Sequence, residues 1–230
     1  MSAEKQAVRA VVFDLYETLI TYYHAPVYFG AQIAADTGVP EDAFLSMWRQ
    51  AESDRSTGKL SLEAILERIL KKHGKYSSET VEEVVRKRIR VNEEAYRRLH
   101  PEVLPLLTAL KERGIRIGLI SNCFSEEAQV LRASVLYPFF DAPCLSYDER
   151  VEKPDPEIFR RCLARLGVPA EACLYVGDGG SRELETAEQL GMRTAQAVWY
   201  LKESAEREKR KPGFAQLETP LAVLERIASL

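Results

Sequence analysis

What the chain is short of narrows the field first. No apolar run reaches the ~18 residues that a membrane-spanning helix requires, and the polar start, Met1 to Arg9, holds no signal-peptide core. Cysteine is scarce: Cys123, Cys144, Cys162 and Cys173 form no CxxC pair and lack the spacings of structural zinc sites, which predicts reduced thiols and a cytoplasmic protein. Histidine is scarcer. His24, His73 and His100 fall in different elements without ligand spacing, and only His24, close to Tyr22 and Tyr23, is placed to meet a substrate. The formal net charge of -3 offers no basic bias, so no nucleic-acid partner is expected. Neither internal repeats nor low-complexity tracts are present. A soluble globular chain remains, monomer or homodimer, whose 46% apolar content supports a sizeable core.

The chain is organised around Val11-Val12-Phe13-Asp14-Leu15-Tyr16-Glu17-Thr18-Leu19, an apolar run that breaks off at one acid. Such a run reads as a buried parallel strand delivering a carboxylate to its carboxyl end, where open α/β sheets bind ligands. From about residue 26 to 99 only helical periodicity follows. Four helices are expected, over 26–37, 41–54, a Ser61-capped stretch reaching Gly74, and 78–99, forming a small bundle inserted after the first strand. The basic run Arg86-Lys87-Arg88 with Arg90, and the charged stretch 201–212, read as solvated faces.

After Pro101 strand and helix alternate. Strands are expected over 115–120, 142–146, 173–176 and, as the last, 194–199, with helices between them and a closing helix over 220–227. Repeated βα units predict an α/β fold, a doubly wound parallel sheet with helices on both faces.

Three strands end in polar residues that can converge: Asp14, Ser121-Asn122 and Asp178, with Lys153 in a loop between the second and third. Two facing carboxylates repel unless a cation lies between them. Mg²⁺, a hard ion that takes oxygen ligands and keeps several waters, suits the pair, and the backbone carbonyl of Tyr16 can be a third ligand. The Ser121 hydroxyl and Lys153 ammonium can then hold phosphoryl oxygens while Asp14 attacks to form an aspartyl-phosphate. Asn122 either meets the substrate or holds its loop. Glu183 either caps a helix starting near Ser181 or serves the metal.

This arrangement resembles the haloacid dehalogenase-like hydrolases over nearly the whole chain. Asp14-Leu15-Tyr16-Glu17-Thr18 is similar to the family's first motif, Ile120-Ser121-Asn122 to its second, Lys153-Pro154-Asp155-Pro156-Glu157-Ile158-Phe159 to its third, and Gly177-Asp178 with Glu183 to its fourth. The resemblance implies a Rossmann-like core over 1–21 and 100–230, a helical cap over 22–99 that opens and closes, a small-molecule substrate and hydrolysis through Asp14.

Tyr16 departs from the phosphatase pattern, in which a second Asp at that position protonates the leaving group. A tyrosine, with a reference pKa near ~10, is a poor replacement. The 2-haloacid dehalogenases resemble the chain here, with Asp-x-Tyr-Gly-Thr. A halide leaves without a proton, and Arg49 in Trp48-Arg49-Gln50 resembles their substrate-binding arginine. Against that, Asp178 supplies the acid of metal-dependent members, Phe159 stands where dehalogenases have tyrosine, and Glu17 replaces the glycine. A Mg²⁺-dependent phosphatase is therefore expected first, a C–halogen hydrolase second, and a binding or regulatory module that has lost turnover third.

Overall fold

The computed structural model describes residues 7–23, 25–201 and 209–230. The expected contact at His24 and most of the charged 201–212 stretch lie outside the described residues.

Six parallel strands form one sheet in the order β3-β2-β1-β4-β5-β6, with β1 (Ala10–Phe13) near its centre. Five helices follow β1: α1 (Gly30–Thr37), α2 (Glu41–Gln50), α3 (Glu52–Ser56), α4 (Leu62–Lys72) and α5 (Ser78–Arg97). Then come α6 (Val103–Glu112), β2 (Arg116–Ser121), α7 (Ser125–Ala133), β3 (Ala142–Leu145), α8 (Ser146–Glu149) and α9 (Pro156–Leu166). The chain continues with β4 (Cys173–Gly177), α10 (Glu183–Gln189), β5 (Arg193–Ala197), β6 (Ala215–Leu217) and α11 (Ala222–Ser229). Among the described residues no helix is long and apolar enough to cross a membrane. The four cysteines are free and buried.

The period-two alternation of a strand divides β1 between two cores. Val11 and Phe13 pack on the face covered by α6, α7 and α11, among Leu106, Leu110, Leu131 and Val223. Ala10 and Val12 face α9 and α10, among Phe159, Cys162 and Leu184. The strand pairs on both sides in register, Phe13 opposite Leu119 of β2 and Val176 of β4, so the carboxyl ends of all three finish within two residues of one another. That alignment brings Asp14, Ser121 and Asp178 to one edge.

The helices between β1 and β2 bury a cluster of their own, including Ile33, Phe44, Leu66 and Val84. The Ser61 side chain accepts the Ala64 N–H at 3.3 Å to start α4, and Ser77 accepts that of Thr80 at 3.0 Å to start α5. Two boundaries differ from expectation. The first helix begins at Gly30, not 26, and the expected helix over 41–54 breaks at Ala51, whose ψ of 1° leaves the α-helical region. The sheet also gains a strand. β6, only three residues long, pairs with β5 outside the strand expected to be last, and so short a run shows no readable alternation.

The basic run of α5 is not uniformly solvated, as the sequence suggested. Arg88 is 3% exposed, and Arg55 of α3 is 1% exposed. Both meet α7, which starts just after β2. Arg88 donates through Nε to Glu126 (3.3 Å) and through Nη2 to Glu127 (2.8 Å), while Arg55 reaches Glu126 at 3.4 Å. The Arg55 guanidinium lies between the rings of Trp48 and Phe124, 3.7 and 3.9 Å from their centroids. Four buried charges therefore join the helical segment to the core beside the strand ends.

Candidate active site

Asp14 directly follows β1, its N–H donating to the Val176 carbonyl at 2.9 Å, which fixes the strand end against β4. The chain then turns. Leu15 O accepts the N–H groups of Leu19 and Ile20, and the turn passes through Glu17 with φ of 55°. A left-handed conformation at a non-glycine residue costs roughly 1–2 kcal/mol. Glu17 offsets it locally, because its carboxylate accepts from Thr21 Oγ1 (2.5 Å) and from the Tyr22 N–H (3.2 Å).

Asp14 is 5% exposed. Its Oδ2 accepts from Thr18 Oγ1 at 3.3 Å, and its Oδ1 pairs with Lys153 Nζ. The same ammonium pairs with Glu183 Oε2 and lies 3.5 Å from the Tyr175 hydroxyl. The neighbouring carboxylates hold its pKa well above the ordinary lysine value despite full burial, so it is a fixed positive charge. The loop that carries Lys153 is set by Asn122. Lys153 N–H donates to Asn122 Oδ1 at 2.7 Å, and Asn122 Nδ2 donates back to the Lys153 carbonyl at 3.0 Å. Asn122 thus holds the loop, one of the two roles expected of it, and also lines the cavity.

Asp178 directly follows β4, its Oδ1 accepting the Gly180 N–H at 2.8 Å. Glu183 opens α10 and is buried, its Oε1 accepting from Gly179 N–H at 3.3 Å and its Oε2 from the Tyr175 hydroxyl at 3.0 Å. Gly177 makes room for it: a Cβ there would lie 2.1 Å from Glu183 Oε1. One carboxylate oxygen from each of Asp14, Asp178 and Glu183 falls within 4.8 Å of the others. Burial first, and Asp14 next, push Glu183 up to about 8, and the same two causes raise Asp178. Three carboxylates crowded around one ammonium leave unbalanced negative charge, and that donor set fits a hard divalent cation.

The cavity encloses about 200 Å³ and is lined by Asp14, Tyr16, Asn122, Lys153, Asp178 and Glu183, with Glu17 and the turn at Gly180-Ser181. Ser121 is fully buried at the end of β2, its hydroxyl 3.4 Å from the Asn122 carbonyl, outside that lining. Arg49 is exposed on α2 and also outside it. Sequence reasoning gave Glu17 only a minor place, because the positive φ and the turn that aim it depend on the folded chain. It gave Arg55 and Arg88 none.

The Tyr16 ring stacks on Tyr22 at 5.3 Å between centroids and 19° between planes, and Tyr22 reaches Asn92 of α5 at 3.3 Å. Burial raises the Tyr16 phenol far above its ordinary pKa, followed by the charge of Glu127.

A family model for haloacid dehalogenase-like hydrolases matches residues 8–191. Among curated proteins, the phosphoglycolate phosphatase of Aquifex aeolicus is 33% identical over 137 residues, 59% of this chain and 62% of that one. The glyceraldehyde 3-phosphate phosphatase of Methanopyrus kandleri is 33% identical over 102 residues, 44% of this chain and 43% of that one, so the match spans less than half of that relative. Among solved structures, a 2-haloacid dehalogenase from Pseudomonas syringae superposes with a TM-score of 0.68 at 26% identity, covering 96% of this chain and 99% of that one. A match that runs from β1 past Asp178 and Glu183, together with a parallel sheet that brings Asp14 and Asp178 to one edge, places the chain in the haloacid dehalogenase-like hydrolase family.

Proposed function

We propose that the protein is a Mg²⁺-dependent phosphatase of a small phosphorylated metabolite, with Asp14 as nucleophile. The observation that carries the reading is Asp178 beside Asp14. Two carboxylates at one cavity mouth, Asp14 buried and Asp178 half-buried, with oxygens within 4.8 Å, are electrostatically unfavourable without a cation. The names of the curated relatives given above support phosphate ester chemistry.

In this reading Asp14 and Asp178, with the Tyr16 backbone carbonyl, hold the Mg²⁺. Glu183, both of whose oxygens already accept hydrogen bonds, serves mainly as the partner that fixes Lys153. The bound cation supplies charge neutralisation for a dianionic phosphoryl group. Asp14 attacks phosphorus, and Lys153 stabilises both the attacking carboxylate and the equatorial oxygens. The Ser121 hydroxyl is a further donor to those oxygens once its 3.4 Å contact is exchanged. Water then cleaves the aspartyl-phosphate. Helices α1–α5 act as a cap that excludes bulk water from the site. The cavity of about 200 Å³ suits a small substrate.

The purified protein with Mg²⁺ is expected to release phosphate from members of a panel of small phosphorylated metabolites. EDTA abolishes that release and excess Mg²⁺ restores it; release that survives EDTA sinks the metal-dependent reading. Tyr16 and the dehalogenase-like neighbour favour C–halogen hydrolysis as the second reading. Halide release from 2-haloacids in EDTA, above an Asp14→Asn control, would establish it in place of the first.

Arg49 separates the two readings further. It is exposed and outside the cavity lining, so Arg49→Ala is expected to leave kcat/KM for a phosphorylated substrate within about twofold, in line with the small effect of removing a solvated charge. A loss of tenfold or more, measured by steady-state kinetics, would bring Arg49 into the site.

A further inference from the structure

Gln196 of β5 lies between Ala195 and Ala197, and like them it is fully buried. A buried amide costs free energy unless its hydrogen-bonding capacity is filled. Here the capacity is filled completely. A glutamine side chain offers two donors and two acceptor lone pairs, and all four are used. Gln196 Nε2 donates to the Asp178 carbonyl at 2.6 Å and to the Lys209 carbonyl at 3.0 Å. Its Oε1 accepts from the Lys211 N–H at 2.8 Å and from Gln216 Nε2 at 2.9 Å.

Strand register gives the amide its reach. Gln196 stands opposite Gly177 of β4 on one side and Gln216 of β6 on the other. Gly177 directly precedes Asp178, so the amide advances by only one residue to meet the Asp178 carbonyl. Gly179, with φ of 92°, leaves room on the far side of the turn: a Cβ there would lie 3.1 Å from Lys211 Cε and 3.2 Å from Gln196 Nε2. Lys211 continues to Glu185 of α10 at 2.5 Å. The Asp178 carboxylate accepts from the Gly180 N–H, inside its own turn, and the Gly179 N–H donates to Glu183, at the start of the helix that leaves that turn. Those bonds fix the turn within itself. The bond from Gln196 ties it to a separate strand.

We propose that Gln196 is a positioning residue for the cation site: its amide sets the Asp178 turn against β5 and couples that turn to the segment 209–216. The inference rests on the Mg²⁺-dependent reading above and adds to it a residue outside the cavity lining. Displacing the Asp178 carbonyl rotates the turn and swings the carboxylate that is to hold the cation. The segment 209–216 enters because its Lys209 carbonyl, Lys211 N–H and Gln216 side chain share the same amide. A fully satisfied buried network of this kind holds one arrangement, and losing one member loosens the others.

The test is calorimetric titration of Mg²⁺ into the full chain, without substrate. Gln196→Met fills the volume of the side chain but makes none of its hydrogen bonds. It is expected to raise the Mg²⁺ dissociation constant by about tenfold, the lower end of what outer partners of a metal ligand contribute, because Gln196 acts on the backbone of Asp178. With Mg²⁺ raised to saturation, kcat recovers most of the parent value. Gln216→Met is the control. It removes the bonds to Gln196, Lys211 and Phe214 but spares the bond to Asp178, so its Mg²⁺ affinity stays at that of the parent. Hydrogen exchange on the parent reads the coupling without a variant: Mg²⁺ at about ten times its dissociation constant slows exchange of the Lys211 N–H by roughly tenfold, by mass action.

Parent-like Mg²⁺ affinity in Gln196→Met overturns the inference and leaves the Mg²⁺-dependent reading intact. Equal weakening in the two variants also overturns it, since a general loosening of the sheet edge then accounts for both. If Gln196→Met does not fold, unchanged exchange of the Lys211 N–H in the parent overturns it instead. A parent that binds no Mg²⁺ takes down the cation site and its positioning residue together.

Discussion

Asp14→Asn is expected to reduce phosphate release by at least ~10⁴-fold, to the background set by the buffer. The estimate follows from the size of losses seen when an enzyme nucleophile is removed. An amide oxygen keeps the shape of the carboxylate but is a poor nucleophile, and it withdraws a charge from Lys153 and, in the proposed mechanism, from the cation site. The fold should survive the change. Asp14 is one of three carboxylates crowded within 4.8 Å, and its charge raises the pKa of both Asp178 and Glu183. Removing it relieves that repulsion, while Lys153 keeps Glu183 as a partner. A thermal melt close to that of the parent, with no phosphate release and no BeF₃⁻ adduct, is the expected pattern. Residual turnover above about a hundredth of the parent rate would move the nucleophile elsewhere.

Much of this site was legible from residue type and spacing. A largely apolar run ending in polar residues, at 11–13 and again at 115–120 and 173–176, is the signature of parallel strands buried on both faces, and side-by-side pairing forces their ends together. Asp14, Asn122, Lys153 and Asp178 therefore line one cavity in the fold much as the pattern implied. What the pattern could not carry depends on contacts between distant parts of the chain. Arg55 lies in Glu52-Ser53-Asp54-Arg55-Ser56-Thr57-Gly58-Lys59, a string that reads as solvated. It is buried because Phe124 and Glu126, about seventy positions away, close over it. The break at Ala51 lets α3 turn toward α7, and no proline or glycine signals it. β6 is three residues long, beneath the length at which alternation can be counted. Glu17 was visible as a departure from glycine, but its capping of Thr21 and Tyr22 emerges only from the turn itself.

The second large effect concerns the seam of buried charge. Arg88→Ala is expected to destabilise the protein by about 3–5 kcal/mol, the range for removing one partner of a buried ion pair. Arg88 forks to Glu126 and Glu127 and donates through Nη1 to the Tyr28 carbonyl at 2.8 Å, so three acceptors lose a donor at once. Glu126 would keep only the longer contact to Arg55 and the Ser125 hydroxyl, and Glu127 only the Phe124 N–H. Lysine cannot replace the planar fork, so Arg88→Lys recovers only part of the loss. The effect has a defined pH sign. Burial already raises Glu127 above the usual carboxylate range, and Arg88 is the first influence that opposes it. Without Arg88 the folded-state pKa rises further above that of the unfolded chain. The folded state then binds more protons than the unfolded one between the two values, so stability falls as pH rises through that window. Denaturant melts should show Arg88→Ala hurting most at neutral pH and less in mild acid, and adding Glu127→Gln should recover part of the loss at neutral pH. A loss under about 1 kcal/mol, or one independent of pH, would mean that water fills the seam and that α5 is held to α7 by packing alone.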